Sequence, residues 1–166
     1  ETLRVGFVGL GMRGPWAVMR FTHIPGVEIV ALCDYERERA EVCQRFLYEA
    51  NMMPADIYAG EYGYEELCKR DDIDIVYIAT DWNMHFPIAI DALKAGKHVF
   101  CEKPITVNYA LSVEMAEEAK KQNKILNIGV CNRYNKSIEL LEEMNRNGEF
   151  GNIYHVYCSF RNFRCI

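Results

Sequence analysis

The sequence predicts an α/β fold, a Rossmann-type doubly wound parallel sheet. Three observations carry this expectation. Short apolar strands alternate with helical segments along nearly the whole chain. A GxGxxG run follows the first strand and opens the first helix. An acidic residue closes the second strand. The 166 residues suffice for one hydrophobic core, or one core and the beginning of another.

The elements follow in order. Arg4 to Leu10 is a strand rich in β-branched and aromatic residues. A helix from about Met12 to His23 stops at Pro25 and Gly26. Val27 to Cys33 is the second strand, ending at Asp34, and a charged amphipathic helix runs from about Glu36 to Glu49. Residues 55–63 read as a loop, and Tyr64 to Arg70 as a short helix. Ile73 to Ala79 is the clearest buried strand, followed by a helix from about Phe86 to Ala95 closed by Gly96. His98 to Cys101 is a strand, and Asn108 caps a helix with Leu111, Met115 and Ala119 on one face. Ile125 to Cys131 is the last strand of the first sheet. A helix from about Lys136 to Arg146 stops at Asn147 and Gly148, and residues 153–160 read as one more strand.

Composition narrows the function. Half the residues are hydrophobic and 26% are charged, which is the balance of a globular protein. The formal net charge of -5 gives no electrostatic basis for nucleic-acid binding. No apolar run is long enough to span a membrane, and Glu1 to Arg4 lead into a strand without a cleavable signal pattern. Cys33, Cys43, Cys68, Cys101, Cys131, Cys158 and Cys165 form no CxxC pair. They read as reduced thiols of a cytoplasmic protein, with no metal site.

Gly9, Gly11 and Gly14 form the glycine motif. Gly9 permits a tight turn, Gly11 lets the backbone approach a pyrophosphate, and Gly14 lets helix and strand pack closely. The helix N-terminus offers free N–H groups to phosphate. Asp34 lies 20 residues beyond Gly14, where a carboxylate accepts hydrogen bonds from the adenosine ribose. Together these predict a Rossmann-type dinucleotide site. Asp34 repels a 2′-phosphate, so NAD is expected over NADP, with Arg13 and Arg37 as cations that soften the preference.

Other strand ends supply candidates for the same crevice. Thr80, Asp81, Trp82, Asn83, Met84 and His85 follow the strongest strand. The backbone there can support the nicotinamide ribose, and His85 either contacts a ligand or belongs to the following helix. Glu102, Lys103 and Pro104 follow the next strand, where Lys103 is either a proton-handling group for a reacting hydroxyl or a solvated lysine in a turn. Asn132 and Arg133 follow the last strand, and Arg133 either binds substrate or joins domains. Tyr35 can flank the adenine or simply open a helix. His23 and His155 read as structural.

These pieces resemble the glucose–fructose oxidoreductase, inositol dehydrogenase and rhizopine-catabolism (Gfo/Idh/MocA) family. The matching runs are Val8 to Gly14, Ala31 to Asp34, Ala79 to His85, Ala95 to Pro104 and Ile128 to Tyr134. The Glu102-Lys103-Pro104 run is the most specific of them. The resemblance implies a Rossmann domain over residues 1–131 and, over 132–166, the beginning of a C-terminal α/β domain for substrate and oligomerisation. It implies Lys103 as the catalytic lysine and a cofactor site of Gly9, Gly11, Met12, Arg13, Gly14 and Asp34. Thr80, Asp81, Asn83, His85, Glu102, Lys103, Asn132 and Arg133 are placed nearby. Position 81 carries Asp where many relatives have Pro. The family's second domain adds an Asp and a His, which fall outside this partial chain.

The function expected is hydride transfer to or from a hydroxyl-bearing carbon of a sugar or cyclitol by a homodimeric or homotetrameric parent. Two alternatives stand beside it. One is an NAD-dependent glycosidase acting by transient oxidation and elimination. The other is a non-catalytic NAD-binding sensor or structural protein.

Overall fold

In the computed structural model, which describes residues 2–159, all the strands lie parallel in one six-stranded sheet. Its order is β3 (Asp56–Ala59), β2 (Val27–Asp34), β1 (Leu3–Val8), β4 (Ile75–Ile78), β5 (His98–Cys101) and β6 (Leu126–Ile128). The chain order reverses between β1 and β4, which pair from Val5–Ile75 to Val8–Ile78. In an open parallel sheet, that reversal leaves a crevice beyond the strands' C-terminal ends.

Helices cover both faces. Ala17 and Val18 of α1 (Gly14–Phe21) and Ala40, Cys43 and Leu47 of α2 (Arg37–Glu49) pack with Val5, Phe7, Ile29 and Leu32. The opposite face buries Leu67 and Cys68 of α3 (Gly63–Cys68), Ile88, Ala89, Ile90, Ala92 and Leu93 of α4 (Trp82–Lys94), and Met115 and Ala119 of α5 (Tyr109–Lys121). Their partners include Val8, Ala31, Cys33, Val76, Ile78, Val99 and Cys101. Ile29 and Leu32 reach the same face because the β1–β2 register slips at Val30, where a bulge adds one residue to β2.

An aromatic row ties the central strands. Phe7, Tyr77 and Phe100 are register partners on β1, β4 and β5, with stacked centroids 5.0 and 4.8 Å apart. Phe21 of α1 meets Phe7 edge-on at 5.2 Å. Such pairs add to area burial and fix orientation.

Three expectations need correction. Residues 56–59 form a strand rather than a loop, because β2 offers them a hydrogen-bonded edge from Ala31 to Asp34. Helix α4 begins at Trp82 rather than near Phe86, since the Asp81 carboxylate caps it by accepting from the Asn83 and Met84 amides. Pro87 is carried within that helix. Residues 153–159 are not a strand, since no ladder partner is present for them among the described residues. Phe160, the last residue of that expected strand, lies outside the described residues.

The chain divides into two compact units, Glu1–Gly129 and Val130–Ile166. The second contains a 3-10 turn (Cys131–Tyr134) and helix α6 (Lys136–Arg146), whose cap Asn135 accepts from the Ser137 amide at 2.9 Å. Among the described residues no helix is long and apolar enough to cross a membrane.

Candidate dinucleotide site

The loop after β1 is shaped by its own backbone. Gly9 sits at φ +91°, and its amide donates to the Cys33 carbonyl at 2.9 Å. A Cβ on Gly9 would fall 2.5 Å from the Thr80 amide nitrogen, so the β1 and β4 loops meet too closely for any side chain. A Cβ on Gly14 would collide with the Gly9 carbonyl oxygen. Gly11 differs: its φ is ordinary, and a Cβ there would meet only Arg39 Nη1, at 3.5 Å. No side chain caps α1, and Pro15 stands in its first turn, so the helix begins with uncapped backbone donors beside this loop.

Asp34 closes the adjacent strand. It is 6% exposed and held by backbone amides, Leu10 N donating to Oδ2 at 2.6 Å and Glu36 N to Oδ1 at 3.0 Å. A carboxylate so fixed keeps further lone pairs for a ligand. Arg39 Nη1 lies 3.5 Å from Oδ1. Leu10, Gly11, Met12, Pro15, Arg39 and Val42 line an open pocket of about 450 Å³ beside this carboxylate. Met12 of that lining is exposed, as are Arg13 and Tyr35.

The β4 loop forms the other wall. The Ala79 amide donates to the Val8 carbonyl at 2.8 Å, and Thr80 Oγ1 donates to the Asp81 carbonyl at 3.1 Å. Asp81 and Asn83 are exposed at the start of α4, with Asp81 engaged as its cap. His85 is fully buried, and its Nδ1 donates to the Pro104 carbonyl oxygen at 2.8 Å. It therefore braces the β5 loop through Pro104, and its other ring nitrogen, Nε2, is buried without a hydrogen-bond partner among the described residues.

That loop carries Glu102, Lys103 and Pro104. Glu102 N donates to the Ile78 carbonyl, joining the loop to β4, and Tyr77 Oη donates to Glu102 Oε1 at 2.9 Å. Lys103 is exposed, and its peptide bond to Pro104 is cis. Burial pushes the Cys33 and Cys101 thiols up to about 12, with the neighbouring Asp34 and Glu102 charges adding to it. They are neutral packing groups at physiological pH.

The structure thus gathers Gly9, Gly11, Met12, Arg13, Gly14, Asp34, Tyr35, Thr80, Asp81, Asn83, Glu102 and Lys103 on the strand ends, loops and helix starts at the C-terminal ends of β1, β2, β4 and β5. Asn132 and Arg133 lie in the 3-10 turn of the second unit. Sequence reading missed Arg39 and the Tyr77–Glu102 pair. The signal for Arg39 was available, since α2's first turn must rise beside the end of β2. Arg37, named instead, pairs outward with Glu41 at 3.1 Å.

Comparison with known proteins bears on the same residues. Residues 3–130 match the family model GFO_IDH_MocA, described as an oxidoreductase family with an NAD-binding Rossmann fold. Among curated proteins, the chain is similar to glycosyl hydrolase family 109 protein 3 of Phocaeicola vulgatus. Identity is 54% over 156 residues, covering 92% of this chain and 28% of that protein. It is also similar to glycosyl hydrolase family 109 protein 1 of Bacteroides thetaiotaomicron, 45% identical, covering 94% of this chain and 34% of that protein. Among solved structures it resembles myo-inositol 2-dehydrogenase from Lactobacillus plantarum, with a TM-score of 0.78 and 28% identity, covering 92% of this chain and 43% of that one. The myo-inositol dehydrogenase of Lactobacillus casei, solved with NAD(H) and myo-inositol, gives a TM-score of 0.79 and 25% identity over 89% of this chain and 42% of that one. The chain spans about a third or less of the length of these curated relatives.

Proposed function

The chain belongs to the GFO_IDH_MocA oxidoreductase family, with that family's NAD-binding Rossmann fold over residues 3–130, and we propose that the protein uses NAD at a hydroxyl-bearing carbon of a sugar or cyclitol. The observation that carries this reading is Gly11. Gly9 and Gly14 are demanded by contacts within the protein, whereas the space above Gly11 is open to a Cβ. A bare backbone there is accounted for by a ligand that must come close, and a pyrophosphate over uncapped helix donors is such a ligand.

The residues present fit the dinucleotide. Gly11, Met12, Arg13 and Gly14 would meet the pyrophosphate, and Asp34 with Tyr35 the adenosine end. Thr80, Asp81, Asn83 and Glu102 would border the nicotinamide half. When bound, the nicotinamide ring supplies reversible two-electron acceptance for the substrate carbon. Lys103 holds the reacting hydroxyl and takes up or returns its proton. Tyr77 fixes Glu102, and His85 fixes Pro104, on either side of that lysine. In this reading residues 1–131 are the dinucleotide-binding domain, and 132–166, with Asn132 and Arg133 at their start, begin a second α/β domain for substrate and oligomerisation. The parent works in the cytoplasm as a homodimer or homotetramer.

A second reading has a specific observation behind it. The curated relatives at 54% and 45% identity are named as glycosyl hydrolases, not dehydrogenases. Their names favour net cleavage of a glycosidic bond, with the sugar carbon oxidised transiently and reduced again. The deciding experiment supplies the full-length protein with NAD and a panel of inositols, free sugars and aryl glycosides. Reduced nicotinamide accumulating with product identifies a dehydrogenase. NAD-dependent release of the aglycone without such accumulation identifies the glycosidase. Lys103→Ala should lower either activity by about 10²–10⁴-fold, the usual contribution of a general acid–base group. NAD binding with neither activity returns the protein to a sensor or structural role.

A further inference from the structure

The hydroxyl of a buried tyrosine reaches the loop that carries Lys103. Tyr77 stands in the middle of the aromatic row, 3% exposed, with Phe7 and Phe100 stacked on its two sides at 26° and 11°. Phe21 meets it edge-on at 5.5 Å. These ring contacts fix the direction of the phenol, and its Oη donates to Glu102 Oε1 at 2.9 Å. The Glu102 main chain is tied too, its amide donating to the Ile78 carbonyl at 2.9 Å. On the other side, a Cβ on Gly129 would lie 3.3 Å from Phe100 Cε1 and 3.4 Å from Glu102 Oε2. The chain leaving β6 thus passes this carboxylate as bare backbone.

This arrangement gives a flexible side chain one direction. A glutamate at a strand end samples several rotamers when nothing holds it. Here one oxygen is tied to a phenol that its neighbours lock in place, and the other lies against Gly129. A hydrogen bond to an ionised acceptor is stronger than a neutral one, so the phenol contributes more than packing. An ionised carboxylate can accept roughly four hydrogen bonds, and the tie to Tyr77 leaves acceptors for a ligand. In the sheet order β1, β4, β5, Glu102 stands two strands from the glycine loop. What it meets is therefore the part of a dinucleotide remote from the pyrophosphate and from Asp34.

We propose that Tyr77 is a positioning residue for the nicotinamide half of the site, acting through its hydroxyl to hold the Glu102 carboxylate in the orientation that receives the cofactor. The proposal rests on the dinucleotide reading above. The measurement is calorimetric titration of the full-length protein with NAD and with ADP, which carries the adenosine and both phosphates but no nicotinamide riboside. It is read as the ratio of the two dissociation constants. Tyr77→Phe keeps the stacked ring and removes the donor. It is expected to shift that ratio against NAD by about tenfold, the size of one hydrogen bond to an ionised group, with ADP binding unchanged. In a Glu102→Ala background the phenol has no carboxylate to hold, so Tyr77→Phe is expected to change the ratio no further. An unchanged ratio in Tyr77→Phe, equal weakening of NAD and ADP, or the full further loss in the Glu102→Ala background overturns the proposal while leaving the dinucleotide reading intact. Folded protein that binds neither NAD nor ADP overturns both.

Discussion

His85 Nδ1 donates to the carbonyl oxygen of Pro104 at 2.8 Å, tying helix α4 to the turn that carries Lys103. A carbonyl can only accept, so the ring proton sits on Nδ1 and sets the tautomer. The ring is fully buried. In the proposed chemistry it would act through the backbone at Pro104, as a positioning residue. His85→Leu removes the donor and is expected to lower kcat of the full-length enzyme by about tenfold, the size of one misplaced proton-transfer geometry. The KM for NAD should change far less. His85→Asn retains a donor near the Nδ1 position and is expected to recover part of the loss. Equal loss in both variants, or a loss confined to KM, would argue for packing alone.

The glycine loop gives a stability contrast. Gly14→Ala drives a methyl group against the Gly9 carbonyl oxygen. It should cost about 1–3 kcal/mol, as overpacking does. Gly11→Ala meets only a mobile guanidinium and should leave the unfolding free energy within about 0.5 kcal/mol, like an ordinary surface change. Denaturant titration of both variants checks this. Equal destabilisation would mean that Gly11 also serves the fold.

Thiol chemistry should divide by burial. Cys33, Cys43, Cys68 and Cys101 are buried, and their thiols are pushed up to about 12, first by loss of solvation. Cys131 and Cys158 are exposed. Alkylation of native protein at neutral pH, mapped by mass spectrometry, should modify the exposed pair and spare the buried four until denaturant is added. Rapid native labelling of Cys33 or Cys101 would contradict the packing described.

Acid should loosen the N-terminal ends of the central strands β1 and β4. Asp74 accepts from the Arg4 guanidinium and from the Arg4 backbone amide, the latter at 2.8 Å, and these bonds hold its carboxyl below the usual carboxylate range. A depressed carboxyl contributes stability that is present above its unfolded value and lost as pH falls through its folded value. The Asp74 contribution should thus be full at neutral pH, decline as pH falls below the carboxyl's unfolded value, and be gone once pH is below its lowered folded value. Asp74→Asn should lower the melting temperature at pH 7 and narrow its gap to wild type in strong acid. A constant gap across pH would remove this clamp from the account.

Much of the site was legible because its parts are local. Gly9, Gly14 and Asp34 announce themselves by strand–loop–helix spacing, and the fold places their loops together. Edge strand β3 was not legible, since Asp56 to Ala59 gain strand character from pairing with β2. Asp81 reads as a loop residue until its carboxylate is seen to cap α4, which also supplies a reason for an acid at that position. Arg39 and Tyr77 act across distances of the fold, the one on a carboxylate from the preceding strand, the other on Glu102 of a neighbouring strand's loop. Residues 153–159 have apolar strand composition without a ladder, and composition alone does not make a strand.

Calorimetric titration of the full-length protein and its Gly11→Ala variant with NAD tests the central claim most directly. The expected result is saturable binding by the parent and at least about tenfold weaker binding by the variant, because a methyl group there keeps the pyrophosphate off the loop amides. Folded parent protein that takes up no NAD, or a variant that binds it as well as the parent does, would contradict the claim.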